Sequence, residues 1–200
     1  MASGLKQRLS GKQAKLEVNL DELLGFVVPN NSSLRQAIGQ AIIDKIRDRT
    51  ADNIGADGKR FKNYSKTYAE SIEFLAYGKS KGDPNLKQSG DMLGFMDIID
   101  ESKNKIVIGW DDSDESAKAH GHITGNVGVK RDFLGLTDKE VKELRSEWRE
   151  VLESATSDTS GPSIVDSVGS ALKFTQGKDL PKQLIGFNQA LQEFLGGGEE

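Results

Sequence analysis

Apolar residues recur along this chain with two different periods, and the changes from one to the other mark out its elements. From Lys15 to Leu20 the period is two, with Leu16, Val18 and Leu20 on one side and Glu17 and Asn19 on the other. Such alternation predicts a strand with one buried face. Past Pro29 the spacing lengthens to four, and Leu34, Ile38, Ile42 and Ile46 line one face of a helix predicted over Ser33 to Arg49. Ser33 and Gln36 stand at capping-box spacing at its start.

Asn53 to Asn63 reads as a loop around Gly55 and the Asp57-Gly58 turn signal, followed by a short helix near Lys66 to Ala76. Tyr77 to Asn85 has no apolar period and reads as an exposed loop carrying Lys79 and Lys81. Two apolar runs, Leu93 to Asp100 and Lys105 to Trp110, predict a hairpin in which Ile106, Ile108 and Trp110 share a face. Asp111 to Glu115 reads as an acidic loop, and the glycine-rich stretch from Gly121 to Gly128 as loop or irregular strand. Thr137 and Glu140 then form a capping box ahead of Val141, Leu144, Trp148, Val151 and Leu152, which predicts a helix to about Ser154.

The stretch SATSDTSGPS has the composition of a linker. Beyond it, Ile164 to Leu172 and Leu184 to Leu195 carry two short apolar stripes. The chain therefore divides into an N-terminal arm over 1–14, a main domain over 15–154, a linker over 155–163 and a helical appendage over 164–200.

Charge narrows the ligand classes. The formal net charge is -4 and the pI about 5.4, which leaves no basic footprint for general or sequence-specific nucleic-acid binding. The absence of cysteine excludes disulfides, thiolate zinc sites and a cysteine nucleophile together. No apolar run approaches the roughly 20 residues of a membrane helix, and the N-terminus lacks a signal-peptide stretch, so a cytoplasmically made protein without a membrane partner is expected.

Candidate chemistry is sparse. Gly78-Lys79-Ser80 ends like a phosphate-binding loop, but Glu73 stands where its first glycine is required. Asp112, Asp114 and Ser116 mimic the start of a calcium loop that then fails at Ala117 and Ile123. His120 and His122 would share one face of a strand, yet two ligands do not make a site. No G-x-S-x-G elbow is present. No catalytic residue, cofactor or metal is expected.

Interaction surfaces are the better candidates. Lys79, Lys81, Lys130, Arg131, Asp111, Asp112 and Asp114 are charges in predicted loops and suit protein contacts. Phe61, Trp110, Phe133, Leu134 and Trp148 are the expected structural anchors, with Phe133 and Leu134 read as a hydrophobic staple before the Thr137 cap. Arg131, beside Lys130, is expected to face an acidic partner surface and to matter little to the stability of the subunit itself.

Several of these pieces, in order, resemble the phage virion-morphogenesis family, which includes Mu-like tail-completion proteins and related neck and minor tail proteins. Asp57-Gly58-Lys59-Arg60-Phe61 with Tyr64-Ser65-Lys66-Thr67 is similar to the family's Asp-Gly-x-x-Trp segment, with Phe61 in the Trp position. Leu86 to Leu93 is similar to its Leu-x-x-Thr-Gly-x-Leu step, with Ser89 for Thr and one additional residue. Lys105 to Gly109 and Ala117 to His120 resemble its strand and Ala-x-x-His stretch, and either His120 or His122 fits the histidine. Arg131-Asp132-Phe133-Leu134-Gly135-Leu136-Thr137 resembles its Arg-x-Phe-Leu-Gly-Leu-Ser signature, without the Pro that commonly precedes it.

The resemblance covers about Leu16 to Leu152. It implies an α+β fold, a small antiparallel β-sheet packed with the long N-terminal helix. It also implies a non-enzymatic virion protein at the head–tail joint, assembled in the host cytoplasm as a ring of six or twelve copies. Its partners would be the neck, connector and tail-tube proteins. The alternative from a different class is a small cytoplasmic regulatory or adaptor module without catalytic activity.

Overall fold

The computed structural model describes residues 4–78, 84, 86 and 91–157, with side chains as far as residue 152. The fold is α+β. Strands β1 (Leu5–Ser10), β2 (Gln13–Asn19), β3 (Asp97–Ser102) and β4 (Lys105–Gly109) form one antiparallel sheet in the order β1-β2-β4-β3. Around it lie α1 (Leu20–Leu24), α2 (Ser32–Ala51), α3 (Lys66–Ala69), α4 (Ile72–Ala76), α5 (Asp91–Gly94), α6 (Ser113–Thr124) and α7 (Asp138–Ser157).

The alternation over 15–20 does what it predicts, burying Ala14, Leu16 and Val18 completely while Glu17 keeps to the other face. Leu20 departs from the strand and opens α1, because the Asn19 side chain accepts the Glu22 N–H and caps a helix there. The expected arm over 1–14 instead contains β1, paired with β2 from Leu5↔Val18 to Ser10↔Gln13. Its sequence carries little alternation because β1 is an edge strand, and Leu5 is its only buried residue.

Helix α2 buries Leu34, Ile38, Ile42, Ile43 and Ile46 and lies across β3 and β4. Gly39 permits the close crossing, since a Cβ there would collide with the Ile98 side chain. The helix begins one residue earlier than predicted and is capped by Asn31, whose side chain accepts the Leu34 N–H at 2.9 Å. Gln36 is thereby free of the cap and donates to Glu101 at 2.8 Å, alongside Ser32 at 2.5 Å and Arg35 at 3.3 Å. Desolvation pushes the Glu101 carboxyl up, but these hydrogen bonds and the Arg35 charge outweigh it and hold the group below its ordinary value.

The hairpin of β3 and β4 forms with a tighter turn than expected, at residues 103–104. Leu93 belongs to α5 rather than to the strand, and a bulge between Ile98 and Asp100 bends β3. Ser71 starts α4 with its own cap, so the single helix expected over 66–76 is two.

The largest departure is α6. Most of the expected acidic loop and the first half of the glycine-rich stretch are one helix, Ser113–Thr124, capped by Asp112, whose carboxylate accepts the N–H groups of Asp114 and Glu115, while residues 125–128 are loop as expected. Gly121 lies inside the helix and Gly125 ends it at φ +85°, a conformation that favours glycine. Burial of Ala119 and Ile123 against the core outweighs the weak helix propensity, and the Ser116 hydroxyl accepts the Ala14 N–H at 3.2 Å.

Helix α7 starts as predicted. The Thr137 N–H donates to Glu140 at 2.6 Å, and the Glu140 N–H donates back to the Thr137 hydroxyl at 3.2 Å. It runs to Ser157, into the first residues of the expected linker. The rest of that linker, the appendage over 164–200, and Lys79 and Lys81 lie outside the described residues.

Candidate functional site

The segment from Arg131 to Leu136 passes through the interior without being helix or strand. Phe133 and Leu134 are fully buried and Leu136 nearly so. A buried irregular segment must find partners for its backbone, and here four successive carbonyls each have a distant donor. Asp132 accepts from the Ala56 N–H at 2.8 Å, and Leu134 from the Gln7 side chain at 3.0 Å. Phe133 and Gly135 accept from the Arg49 guanidinium at 2.6 and 2.8 Å. The same guanidinium donates to the Glu140 carboxylate at 2.5 Å, so the end of α2, the buried segment and the cap of α7 share one polar joint.

Phe133 is not at the staple position. With Thr137 as the cap, that position is Leu136, and Val141 is its counterpart on the helix; both are buried. Phe133 reaches further in and meets Trp110 edge-on, with ring centroids 6.3 Å apart. Trp110 donates its indole N–H to the Met92 carbonyl at 2.5 Å, and Phe61 and Trp148 are buried as anchors.

Arg131 is not an interface residue. Only 5% of it is exposed; its guanidinium lies 5.0 Å from the Tyr64 ring centre and donates to the Lys62 carbonyl at 3.3 Å. Burial pushes its pKa below the ordinary arginine value, partly offset by Tyr64 and Tyr68. Tyr64, Tyr68 and Phe74 form a cluster of three rings with centroids 5.3 to 5.5 Å apart, so Arg131 fastens α3 and α4 to the body of the fold. The sequence places it beside Lys130, which is exposed, and one residue of separation was enough to reverse the environment. Arg131→Ala is therefore expected to destabilise the subunit by about 1–3 kcal/mol through the lost charged hydrogen bond and cation–π contact. Lys130→Ala should stay within about 0.5 kcal/mol. Urea unfolding of both variants checks this, and equal midpoints would refute the buried role.

Asp111, Asp112 and Asp114 are exposed as expected, but Asp112 is occupied as the α6 cap, and the two backbone N–H groups it accepts hold its carboxyl below the usual range. His120 and His122 do not share a face: on a helix, two residues turn the chain through roughly 200°. Among the described residues no group of three or more His, Asp or Glu side chains is placed to hold a metal ion.

Three arginines with structural tasks escape sequence reasoning. Arg47 donates to the carbonyls of Leu93, Gly94 and Met96 at the end of α5, and Arg145 to those of Leu23 and Glu22 at the end of α1. Arg49 is the third, and it had a signal. Together with Arg35 it continues the stripe of Ile38, Ile42 and Ile46 at a spacing of three, a cation on an apolar face.

Comparison of the chain with protein-family models, curated proteins and solved structures returns no match.

Proposed function

We propose that this chain is a non-enzymatic structural subunit of a tailed-phage virion, a neck or tail-completion protein working in a ring at the head–tail joint. One observation carries the reading. Two of the segments that resemble the virion-morphogenesis family, Asp57 to Phe61 and Arg131 to Thr137, meet in the fold. Ala56 donates to Asp132, and the Thr137 methyl lies 3.9 Å from where a side chain on Gly58 would begin. Segments that belong to one ancestral unit are expected to pack together in this way.

The surface suits assembly. Helix α4 buries Phe74 and turns Ile72 and Leu75 to solvent, 85% and 69% exposed. Apolar side chains of this size on so short a helix are covered when a neighbouring subunit or a connector protein docks. Lys130, Asp111 and Asp114 are exposed charges that contacts elsewhere on the surface can use.

The test is genetic. A phage with this gene disrupted should accumulate filled heads and free tails with few joined particles, and the protein should be found in purified wild-type virions. Joined, infectious particles in normal yield without it would refute the reading.

A further inference from the structure

The two edges of the sheet carry opposite charge on the same face. On β1, Lys6 and Arg8 are exposed; on β3, Asp97 and Asp100 are exposed. The strand register runs a single row across the sheet, Lys6↔Glu17, Glu17↔Val107, Val107↔Asp100, so a cation stands at one end of that row and an acid at the other. Lys6, Arg8, Glu17, Val107 and Asp100 line one open depression, which places them together on the solvent face. The bulge in β3 brings Asp97 and Asp100 to the spacing of two ladder positions, opposite Gly109 and Val107, which matches the spacing of Lys6 and Arg8.

Neither outer edge is paired with another strand among the described residues. Among the described residues, the backbone-to-backbone hydrogen bonds of β1 go to β2 and those of β3 to β4, and to nothing else. An open edge of this length is a template for another strand. Leu9, on the core-facing side of β1, is 40% exposed at that edge.

We propose that copies of this chain join head to tail by continuing the sheet, β3 of one copy pairing with β1 of the next. Three antiparallel steps separate β1 from β3, so the two strands run in opposite directions. A second copy placed alongside in the same orientation therefore meets β3 with an antiparallel β1, and the ladder continues without a change of type. Lys6 then faces Asp100, and Leu9 gains cover. Arg8, which pairs with Glu17 at 2.9 Å within the subunit, comes level with Asp97, whose carboxylate accepts the Ile98 N–H at 2.7 Å, so Lys6 with Asp100 is the leading pair. The self-complementary alternatives are disfavoured, because β1 against β1 opposes cations and β3 against β3 opposes acids. A heterologous contact of this kind closes into a ring when its rotation closes. The inference rests on the ring-subunit reading for its biological setting, while the contact itself rests on the strand edges.

The chain has no cysteine, so introduced thiols report only on the contact. Full-length Lys6→Cys and Asp100→Cys chains are mixed under mild oxidation, with Lys142→Cys on the exposed face of α7 as the control partner. The expected result is a cross-linked pair in the Lys6→Cys with Asp100→Cys mixture, well above either variant alone and above the control mixtures. Charge reversal supplies a second readout by sedimentation. Lys6→Glu with Arg8→Glu, or Asp97→Lys with Asp100→Lys, should weaken self-association roughly tenfold or more, and all four changes in one chain should restore most of it.

Self-cross-linking of Lys6→Cys equal to that of the mixture overturns the head-to-tail arrangement. A protein that stays monomeric at about 1 mM and gives no cross-link above control overturns the contact. The two readings fail separately. Head-to-tail cross-linking by a protein absent from virions would keep the contact and sink the virion role, and presence in virions without cross-linking would do the reverse.

Discussion

Replacing Arg49 by Ala should cost this fold about 3–5 kcal/mol, enough to unfold much of a marginally stable domain. The side chain is 6% exposed and its partner Glu140 12%, so neither charge is compensated by water. Removing the guanidinium leaves the carbonyls of Phe133 and Gly135 without their donor in the interior, and the Glu140 carboxylate without its cation, held only by the Thr137 N–H and hydroxyl. Each orphaned group carries its own desolvation cost, which is why deletion of one partner is worse than the net worth of the pair. Arg49→Lys should recover only part of the loss. A single ammonium cannot reproduce the planar fork that reaches the carboxylate and two carbonyls at once. Urea unfolding is the measurement, and the midpoint should fall with an unchanged slope. A loss below about 1 kcal/mol for Arg49→Ala would mean that water replaces the guanidinium, and the joint would then be peripheral.

Phe133→Ala is the second large effect, again about 3–5 kcal/mol, with a different cause. Phe133 is fully buried, and its ring meets the Trp110 ring at 75°. Truncation leaves a cavity between the sheet end and the start of α7, and the surrounding backbone cannot collapse into it. That backbone is held by Arg49, Gln7 and Ala56 at the four carbonyls of residues 132–135. Phe133→Leu should recover more than half of the loss, since it restores most of the buried volume. Near-ultraviolet circular dichroism in a Trp148→Phe background, where Trp110 is the one tryptophan, offers an independent readout. An unchanged Trp signal together with an unchanged melting temperature would show that the ring is not packed as described.

The two variants also bear on how much a local reading of the segment 131–137 can achieve. That Phe133 and Leu134 are buried is legible, because two apolar residues shortly before a capping box have few other uses, but that Leu136 takes the staple position while Phe133 reaches Trp110 is not. That Arg131 is an anchor as well is not. A cation beside a lysine in a polar run looks like surface, and only the ring of Tyr64, brought from far along the chain, gives it an interior place.

The periodic elements belong to the sequence itself. The four-residue stripe of α2, the two-residue alternation of β2, the Thr137 capping box and the paired runs of β3 and β4 are all readable, because each rests on interactions within a few residues. Tertiary structure decided the rest. LKQRLS becomes a strand because β2 offers it an edge, and residues 113–124 become a helix because Ala119 and Ile123 find the core. Arg49 and Arg131 turn inward because carbonyls and rings from distant segments await them. These outcomes depend on partners tens of residues away, and a weak local preference is overruled whenever burying apolar surface or satisfying a buried polar group is worth more.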